Sequence, residues 1–159
     1  MVLKKFLTFS LFVAAAFAER PPLVSIGGGC VNITGVRKSG LFQAEYKWKP
    51  PVSELRPLAG MFVTTLGSTF FYGGISYDFL LGKKVVLTPS FCPGFYFRGA
   101  GKDLGFPVEF RSAMDLAYRF KNEARIGASF YHLSNSHLSR RNPGVNILAF
   151  YYAFPLFLD

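Results

Sequence analysis

The sequence predicts an all-β protein, an eight-stranded antiparallel transmembrane β-barrel of the outer membrane. The 159 residues are half hydrophobic and 18% aromatic but only 17% charged, whereas average soluble domains are about 25% charged. The chain opens with a segment typical of exported proteins. No later stretch has the roughly 20 apolar residues of a spanning helix. A closed barrel is the other structure that satisfies its backbone hydrogen bonds in lipid.

The first 18 residues have the three parts of a secretory signal peptide. Lys4 and Lys5 are followed by the apolar residues 6–15 and by Ala-Phe-Ala at residues 16–18. We expect cleavage before Glu19, with residues 19–159 forming a single β-barrel domain. Loss of the two lysines lowers the net charge from +9 to +7.

Turn residues divide the rest of the chain into eight runs, each long enough to cross a bilayer at roughly 9–11 residues. We place these strands at residues 22–34, 40–49, 56–66, 69–81, 84–98, 105–119, 123–134 and 145–157. Three prolines interrupt the pattern in the third and fifth runs, and proline is confined to strand ends, edges or bulges. We therefore expect ends or bulges at Pro57, Pro89 and Pro93.

Alternating faces indicate which side of the sheet meets lipid. In the sixth run, an apolar row opposes a charged row formed by Glu109, Arg111, Asp115 and Arg119. The charged row fits a narrow lumen, where buried charges must be paired. The alternative is a soluble barrel of the lipocalin kind, apolar inside and polar outside. Because the aromatic face is the larger one here, we favour lipid outside.

The last two runs end in polar residues on their apolar faces. His132 and Ser134 continue the row of Ile126 and Phe130, and Asn146 begins the row of Leu148, since alternate residues share a face. With the N-terminus in the periplasm, these side chains lie on the lipid-facing surface at the level of the outer leaflet. A lipid-facing histidine, serine and asparagine need a functional explanation.

Basic residues also collect in the connections assigned to that end, where they would suit the phosphates of an anionic glycolipid. They are Arg37, Lys38, Arg98, Lys102, Arg140 and Arg141. A solvated loop surface is the alternative, and the lysines at the other end weaken the contrast.

Cysteines and histidines give little sign of a disulfide or a metal. Cys30 and Cys92 fall on opposite sides of an eight-stranded barrel, and a disulfide needs α-carbons within about 7 Å. We therefore expect free thiols. His132 and His137 are the only histidines, and no carboxylate lies near them in sequence. We expect no metal and no cofactor.

Residues 132–146, HLSNSHLSRRNPGVN, resemble the signature of the outer-membrane lipid A deacylase family known as PagL, whose pattern is H-x-S-N, a short loop, then N-x-G-x-E. The segments LRPLAGMFVTT, FYGGISYDF, LTPSFCPGFY and GKDLGFPVEFRSAMDLAY are also similar to this family. The resemblance implies an eight-stranded outer-membrane barrel that hydrolyses the ester-linked acyl chain at position 3 of lipid A without a metal.

The resemblance also assigns roles. It implies that Ser134 is the nucleophile and His132 its general base, and it makes Asn142 a candidate for stabilising the oxyanion. Asn135 is expected to shape the turn or the site. Where the family pattern has glutamate, this chain has Asn146, whose carbonyl can still orient the imidazole but brings no charge.

Other residues could compete for these roles. Glu109 and Asp115 face the lumen, whereas Asp103, in the fifth connection, is a conceivable substitute acid. Ser136 and Ser139 are rival serines that we interpret as turn residues.

Two functions fit a transmembrane barrel with these residues. We favour an esterase acting on lipid A or lipopolysaccharide among outer-membrane lipids, with no nucleic acid partner and a homodimer left open. The alternative is a non-catalytic small outer-membrane barrel, structural or adhesive, in which the asparagines, serines and prolines merely form a turn.

Overall fold

The computed structural model describes residues 20–157; the predicted signal peptide, residues 1–18, lies outside them. The described chain forms nine strand segments. They are β1 (Leu23–Val31), β2 (Ser39–Lys47), β3 (Leu55–Thr64), β4 (Thr69–Tyr77), β5 (Phe79–Leu81), β6 (Val85–Phe97), β7 (Val108–Arg119), β8 (Arg125–Ser134) and β9 (Val145–Pro155). Each predicted strand has a counterpart with bounds that differ by a few residues. No helix in residues 20–157 is long and apolar enough to span a bilayer.

The strands close into an eight-stranded antiparallel barrel, which confirms the predicted fold. Consecutive strands pair with each other except β4 and β5, β1 pairs with β9, and β4 pairs with β6. Segment β5 continues β4 past Asp78, because both pair with β6 in one unbroken register, from Tyr72↔Gly94 to Phe79↔Leu87. Together β4 and β5 make the fourth strand of the barrel.

The prediction that prolines mark ends or bulges is wrong for two of the three. Pro89 and Pro93 lie inside β6 and pair with Met114 and Phe110 of β7. Proline has no backbone N–H to donate to a second neighbour. The gaps in the ladder on the other side of β6 fall opposite these positions, between Ser76 and Phe79 and between Tyr72 and Ile75. The prolines thus remove individual hydrogen bonds without shifting the register.

Charged side chains fill the lumen toward the end that carries the chain termini. Asp78, 1% exposed, accepts hydrogen bonds from Arg56 at 3.0 Å and from Arg125 at 2.7 Å. Lys47 contacts Asp115 at 3.1 Å and Glu45 at 3.4 Å. These contacts neutralise the buried charges and hold distant strands to one another across the lumen.

The predicted charged row of the sixth run does face the lumen, but its members are not paired with one another. Arg111 lies over the rings of Tyr72 and Tyr131, 4.9 and 4.4 Å from the ring centroids. Arg119 pairs with Glu123 near the strand end. Glu109 is fully buried, and neither carboxylate oxygen has a hydrogen-bond partner among the described residues. The rest of the lumen is filled by apolar side chains, including Phe62, Phe70, Leu133 and Ile147.

The meander brings four connections to one end of the barrel, here called the site end: residues 32–38, 65–68, 98–107 and 135–144. Large hydrophobic side chains are exposed around the outside, among them Phe42, Phe71, Phe95, Phe130 and Phe150. Cys30 and Cys92 are free thiols, on strands that are not neighbours.

The Asp78 contacts generate a stability prediction. Asp78→Asn removes the charge that compensates Arg56 and Arg125, and breaking a buried ion pair costs about 3 kcal/mol or more. We expect a loss of that size in the free energy of unfolding. It is measured by unfolding the protein in urea and monitoring the fluorescence of Trp48, the single tryptophan. As a control, Asp103→Asn breaks only exposed pairs and should cost far less, because water and salt screen such pairs. Equal losses would contradict the role assigned to Asp78.

Candidate active site

His132 and Asn146 form a hydrogen-bonded pair on the outside of the barrel. They lie directly opposite each other on β8 and β9, and Nδ1 of His132 is 2.6 Å from Oδ1 of Asn146. Because an amide oxygen can only accept, this contact requires a proton on Nδ1. In the neutral ring, Nε2 is then left with its lone pair and is able to act as a base.

The amide of Asn146 has a second partner, Thr34, that the sequence did not predict. Nδ2 of Asn146 donates to Oγ1 of Thr34 at 3.2 Å. In addition, the backbone N–H of Ile33 donates to the backbone carbonyl of Asn146 at 3.1 Å. Thr34 lies in the connection between β1 and β2, 112 residues before Asn146. Only the closure of the barrel by β1 and β9 brings the two together, and no local motif signals the contact.

Gly144 packs directly against the His132 ring. A Cβ atom added there would lie 2.7 Å from Cε1 and 2.8 Å from Nε2 of the ring, and the residue has a left-handed φ of +59°. Both the close approach and the backbone conformation favour glycine. The ring is therefore held between the Asn146 amide on one edge and the Gly144 backbone on the other.

Ser134 lies two residues along β8 from His132, and both side chains are half-buried on the same outer face. Its strand partner on β7 is Phe110, which stacks on Phe91 with the ring centroids 5.7 Å apart. Its hydroxyl forms no hydrogen bond within residues 20–157, so the structure brings Ser134 near His132 without joining them. The hydroxyl is left between a polar cluster and an apolar surface that faces lipid.

Asn135 and Asn142 lie in the loop that follows Ser134, and their hydrogen bonds hold this loop in place. Asn135 is fully buried, and its Nδ2 donates to the carbonyls of Leu104 and Arg141 at 2.9 and 2.7 Å. Its backbone N–H donates to Oδ1 of Asn142 at 3.0 Å. Asn135 thus ties the fifth and seventh connections together. Asn142 keeps its amide N–H groups free of partners within the described chain.

The rival serines lie in the same loop. Ser136 and His137 both have left-handed φ angles, 48° and 61°, so they form a tight turn. The Ser139 hydroxyl accepts a 3.4 Å hydrogen bond from the Arg141 backbone. No group of three histidines, cysteines or carboxylates that could hold a metal occurs in residues 20–157.

Asp103, the candidate for a substitute acid, does not contact His132. Its carboxylate contacts Arg141 at 3.1 Å and Arg98 at 3.8 Å. A hydrogen bond from the Gly105 backbone N–H, with the two arginines, lowers the pKa of Asp103. Nδ1 of His132 is already occupied by Asn146. Glu109 and Asp115 are buried in the lumen, so within the described chain no carboxylate contacts His132.

The fold and this cluster define an outer-membrane β-barrel that carries histidine, serine and asparagine side chains on its outer surface. The chain belongs to the PagL family, described as lipid A 3-O-deacylase, whose family model matches residues 38–155. The family and the fold place the protein in the outer membrane, as predicted. No curated protein matches the chain.

Solved structures share the fold at low sequence identity. The crystal structure of the outer-membrane enzyme PagL superposes with a TM-score of 0.68 at 19% identity, covering 84% of this chain and 99% of that one. Neisserial surface protein A (NspA) gives a TM-score of 0.60 at 12% identity, with 85% and 97% covered. A de novo designed transmembrane β-barrel gives 0.57 at 12% identity, with 87% and 97% covered. These matches show the fold.

The contact between Gly144 and His132 can be tested on the ring itself. Gly144→Ala should displace the imidazole, because the added carbon would overlap its Cε1 and Nε2 atoms. We expect the ¹⁵N resonances of the His132 ring to move in protein labelled at histidine. Gly82→Ala is the matched control, since Gly82 has a φ of +71° and nothing within 4 Å of the added carbon. Unmoved ring resonances in folded Gly144→Ala would contradict the contact.

Proposed function

We propose that this protein is an outer-membrane esterase that removes the 3-O-linked acyl chain of lipid A, with Ser134 as nucleophile and His132 as general base. Membership of the lipid A 3-O-deacylase family supports the substrate class. The observation that carries the site assignment is the 2.6 Å contact of His132 with Asn146 on the outer face, two residues from Ser134. A membrane lipid reaches that face without leaving the bilayer.

The chemistry needs no group beyond these side chains and water. The Ser134 oxygen attacks the ester carbonyl while its proton passes to Nε2 of His132. When the bond to the sugar oxygen breaks, His132 returns that proton to the leaving oxygen. Water then attacks the acyl-serine with the same base, releasing the fatty acid and restoring Ser134. The mechanism requires the Ser134 hydroxyl to reach Nε2 of His132 in the substrate complex, since catalytic hydrogen bonds are often long before substrate binds.

Asn142 is proposed to stabilise the oxyanion of the tetrahedral intermediate. Its Oδ1 is fixed by the backbone N–H of Asn135 at 3.0 Å, which leaves the Nδ2 group as the donor. Donors held in place before the reaction stabilise the developing negative charge at no reorganisation cost. Asn135 keeps the loop in position through its bonds to Leu104 and Arg141.

The site end offers a place for the anionic headgroup of such a substrate. Arg98 and Arg141 are exposed and flank Asp103, and the Arg141 carbonyl is held by Asn135 next to Ser134. Guanidinium groups bind phosphate oxygens in a bidentate manner. We propose that they help to orient the phosphorylated sugar while the acyl chain lies along Phe110 and Phe91.

Asn146 in place of an acid is expected to slow this reaction. In serine proteases, replacing the triad aspartate by its amide lowers kcat about ten-thousandfold, mainly through the wrong imidazole tautomer. Here the amide oxygen faces Nδ1, as base catalysis requires. The remaining deficit is the absent negative charge, which would otherwise stabilise the imidazolium.

The first test is mass spectrometry of lipid A from cells that produce the protein or its variants. We expect the loss of one hydroxyacyl chain, abolished by Ser134→Ala and retained in Ser136→Ala and Ser139→Ala. Asn146→Glu should increase the fraction of lipid A that has lost this acyl chain, because a carboxylate stabilises the imidazolium. Lipid A left intact by wild type and by Asn146→Glu, with folded barrel in the membrane, would favour the non-catalytic barrel.

The proposed role of Asn142 is tested by an isosteric change. Asn142→Asp keeps an oxygen that can accept from Asn135 but removes the Nδ2 donor. We expect kcat to fall about 10²- to 10³-fold, the effect of losing one oxyanion donor, with little change in KM. Deacylation of purified lipid A in detergent measures both constants. Activity within a few-fold of wild type would assign the donor elsewhere.

A further inference from the structure

The four connections of the site end, all within the described chain, are strongly basic. They contain one acidic residue, Asp103, and six basic residues: Arg37, Lys38, Arg98, Lys102, Arg140 and Arg141. An excess of positive charge on a surface raises the local concentration of anionic ligands. The position of the single carboxylate therefore decides which of these cations are free to bind such a ligand.

Asp103 lies where donors from the fifth and seventh connections converge. The backbone N–H of Gly105 donates to its Oδ1 at 2.9 Å. The guanidinium groups of Arg141 and Arg98, both exposed, approach its Oδ2 at 3.1 and 3.8 Å. The Gly105 N–H, with the two arginines, lowers the pKa of Asp103, so the carboxylate is charged at neutral pH. Proteins bind phosphate oxygens with the same kinds of donor.

We propose that Arg98, Arg141 and the Gly105 N–H form a binding site for a phosphate group, and that the Asp103 carboxylate competes with phosphate for this site. A phosphate monoester carries about −1.5 to −2 charges at neutral pH and three strong acceptor oxygens, so it binds these donors more strongly than a carboxylate does. The inference deepens the proposed function, because a phosphate held here would fix the sugar of lipid A beside Ser134.

The packing of the fifth connection on the seventh fixes this site next to Ser134. Asn135, the residue after Ser134, donates to the carbonyls of Leu104 and Arg141 at 2.9 and 2.7 Å. A Cβ atom added to Gly105 would lie 2.5 Å from the Arg141 carbonyl oxygen, so the two backbones approach as closely as a glycine allows. The Arg141 backbone is thereby held while its guanidinium group stays exposed.

The Asp103 carboxylate can be displaced without unfolding its connection. Its ion pairs are exposed, and such pairs contribute little because water and salt screen them. Other bonds hold the connection: the Ser68 hydroxyl donates to the Arg98 carbonyl at 2.6 Å, and the Tyr96 hydroxyl donates to the Lys102 carbonyl at 2.9 Å. A cavity of about 260 Å³, whose lining includes Tyr96, Arg98 and Asp103, gives the phosphate group room.

The test is a titration of the full chain, labelled with ¹⁵N-arginine and folded in detergent micelles, with glucose 1-phosphate, inorganic phosphate or glucose. The side-chain Nε–H resonances of Arg98 and Arg141 report binding, and each is assigned by its loss in Arg98→Gln or Arg141→Gln. We expect both phosphates to shift both resonances and glucose to shift neither. Tighter binding of glucose 1-phosphate would support a lipid headgroup as the ligand. Tighter binding of inorganic phosphate would support the site but overturn its role in holding lipid A.

The variants test the competition. Asp103→Asn should lower the dissociation constant for glucose 1-phosphate about threefold, an effect of the size that an exposed ion pair allows. Val36→Lys is the matched control, because Val36 is fully exposed in another site-end connection and this change also raises the net charge by one. It should have a clearly smaller effect. The double change Arg98→Gln with Arg141→Gln should abolish binding and, with it, the gain from Asp103→Asn.

Weaker binding in Asp103→Asn would overturn the proposal, because the carboxylate would then hold the arginines in place for phosphate. An equal gain in Val36→Lys would also overturn it, since net charge alone would explain the effect, and so would arginine resonances that no phosphate shifts. The titration does not depend on turnover. Lipid A left intact by a wild-type protein that binds phosphate would overturn the proposed function alone.

Discussion

A strand in lipid has no water for its backbone groups, so every N–H and C=O in the hydrocarbon region must be bonded by a neighbouring strand. The pairings of β1 with β9 and of β4 with β6 satisfy this requirement by removing both sheet edges. Closure has a second consequence for the site. It places the connection after β1 next to the start of β9, so that Thr34 contacts Asn146 although 112 residues separate them in sequence.

Eight strands leave a narrow interior, and the side chains that fill it are strongly polar at one end. Asp78 with Arg56 and Arg125, and Lys47 with Asp115 and Glu45, hold strands across the lumen. A rigid lumen keeps the outer surface in fixed register, and the His132–Asn146 contact depends on that register because it joins directly opposite residues of β8 and β9. The charged interior thereby supports a small polar cluster on the other side of the same wall.

The strand period allowed much of this arrangement to be predicted. Alternation in residues 123–134 and 145–157 was enough to place His132, Ser134 and Asn146 on one outer face, and the structure has them there. The interior partners were beyond prediction, because Asp78 and Arg125 are 47 residues apart and their contact depends on barrel closure. Pro89 and Pro93 were misjudged because a sequence does not reveal which neighbour of a strand a missing N–H would have faced.

The contacts of Asp103 and Thr34 could not be predicted from their positions in the sequence. Asp103 was a plausible acid by its connection alone, yet two arginines and a backbone N–H occupy its oxygens. Thr34 belongs to no motif, and its contact with the Asn146 amide arises only from closure of the barrel. A carboxylate there would orient and charge-stabilise the ring in one step. In the proposed mechanism, the Asn146 amide can orient the ring through its contact with Nδ1, but its missing charge is not replaced by any contact of His132 within the described chain. The proposed enzyme would therefore keep the geometry of a base but work against a less favourable imidazolium.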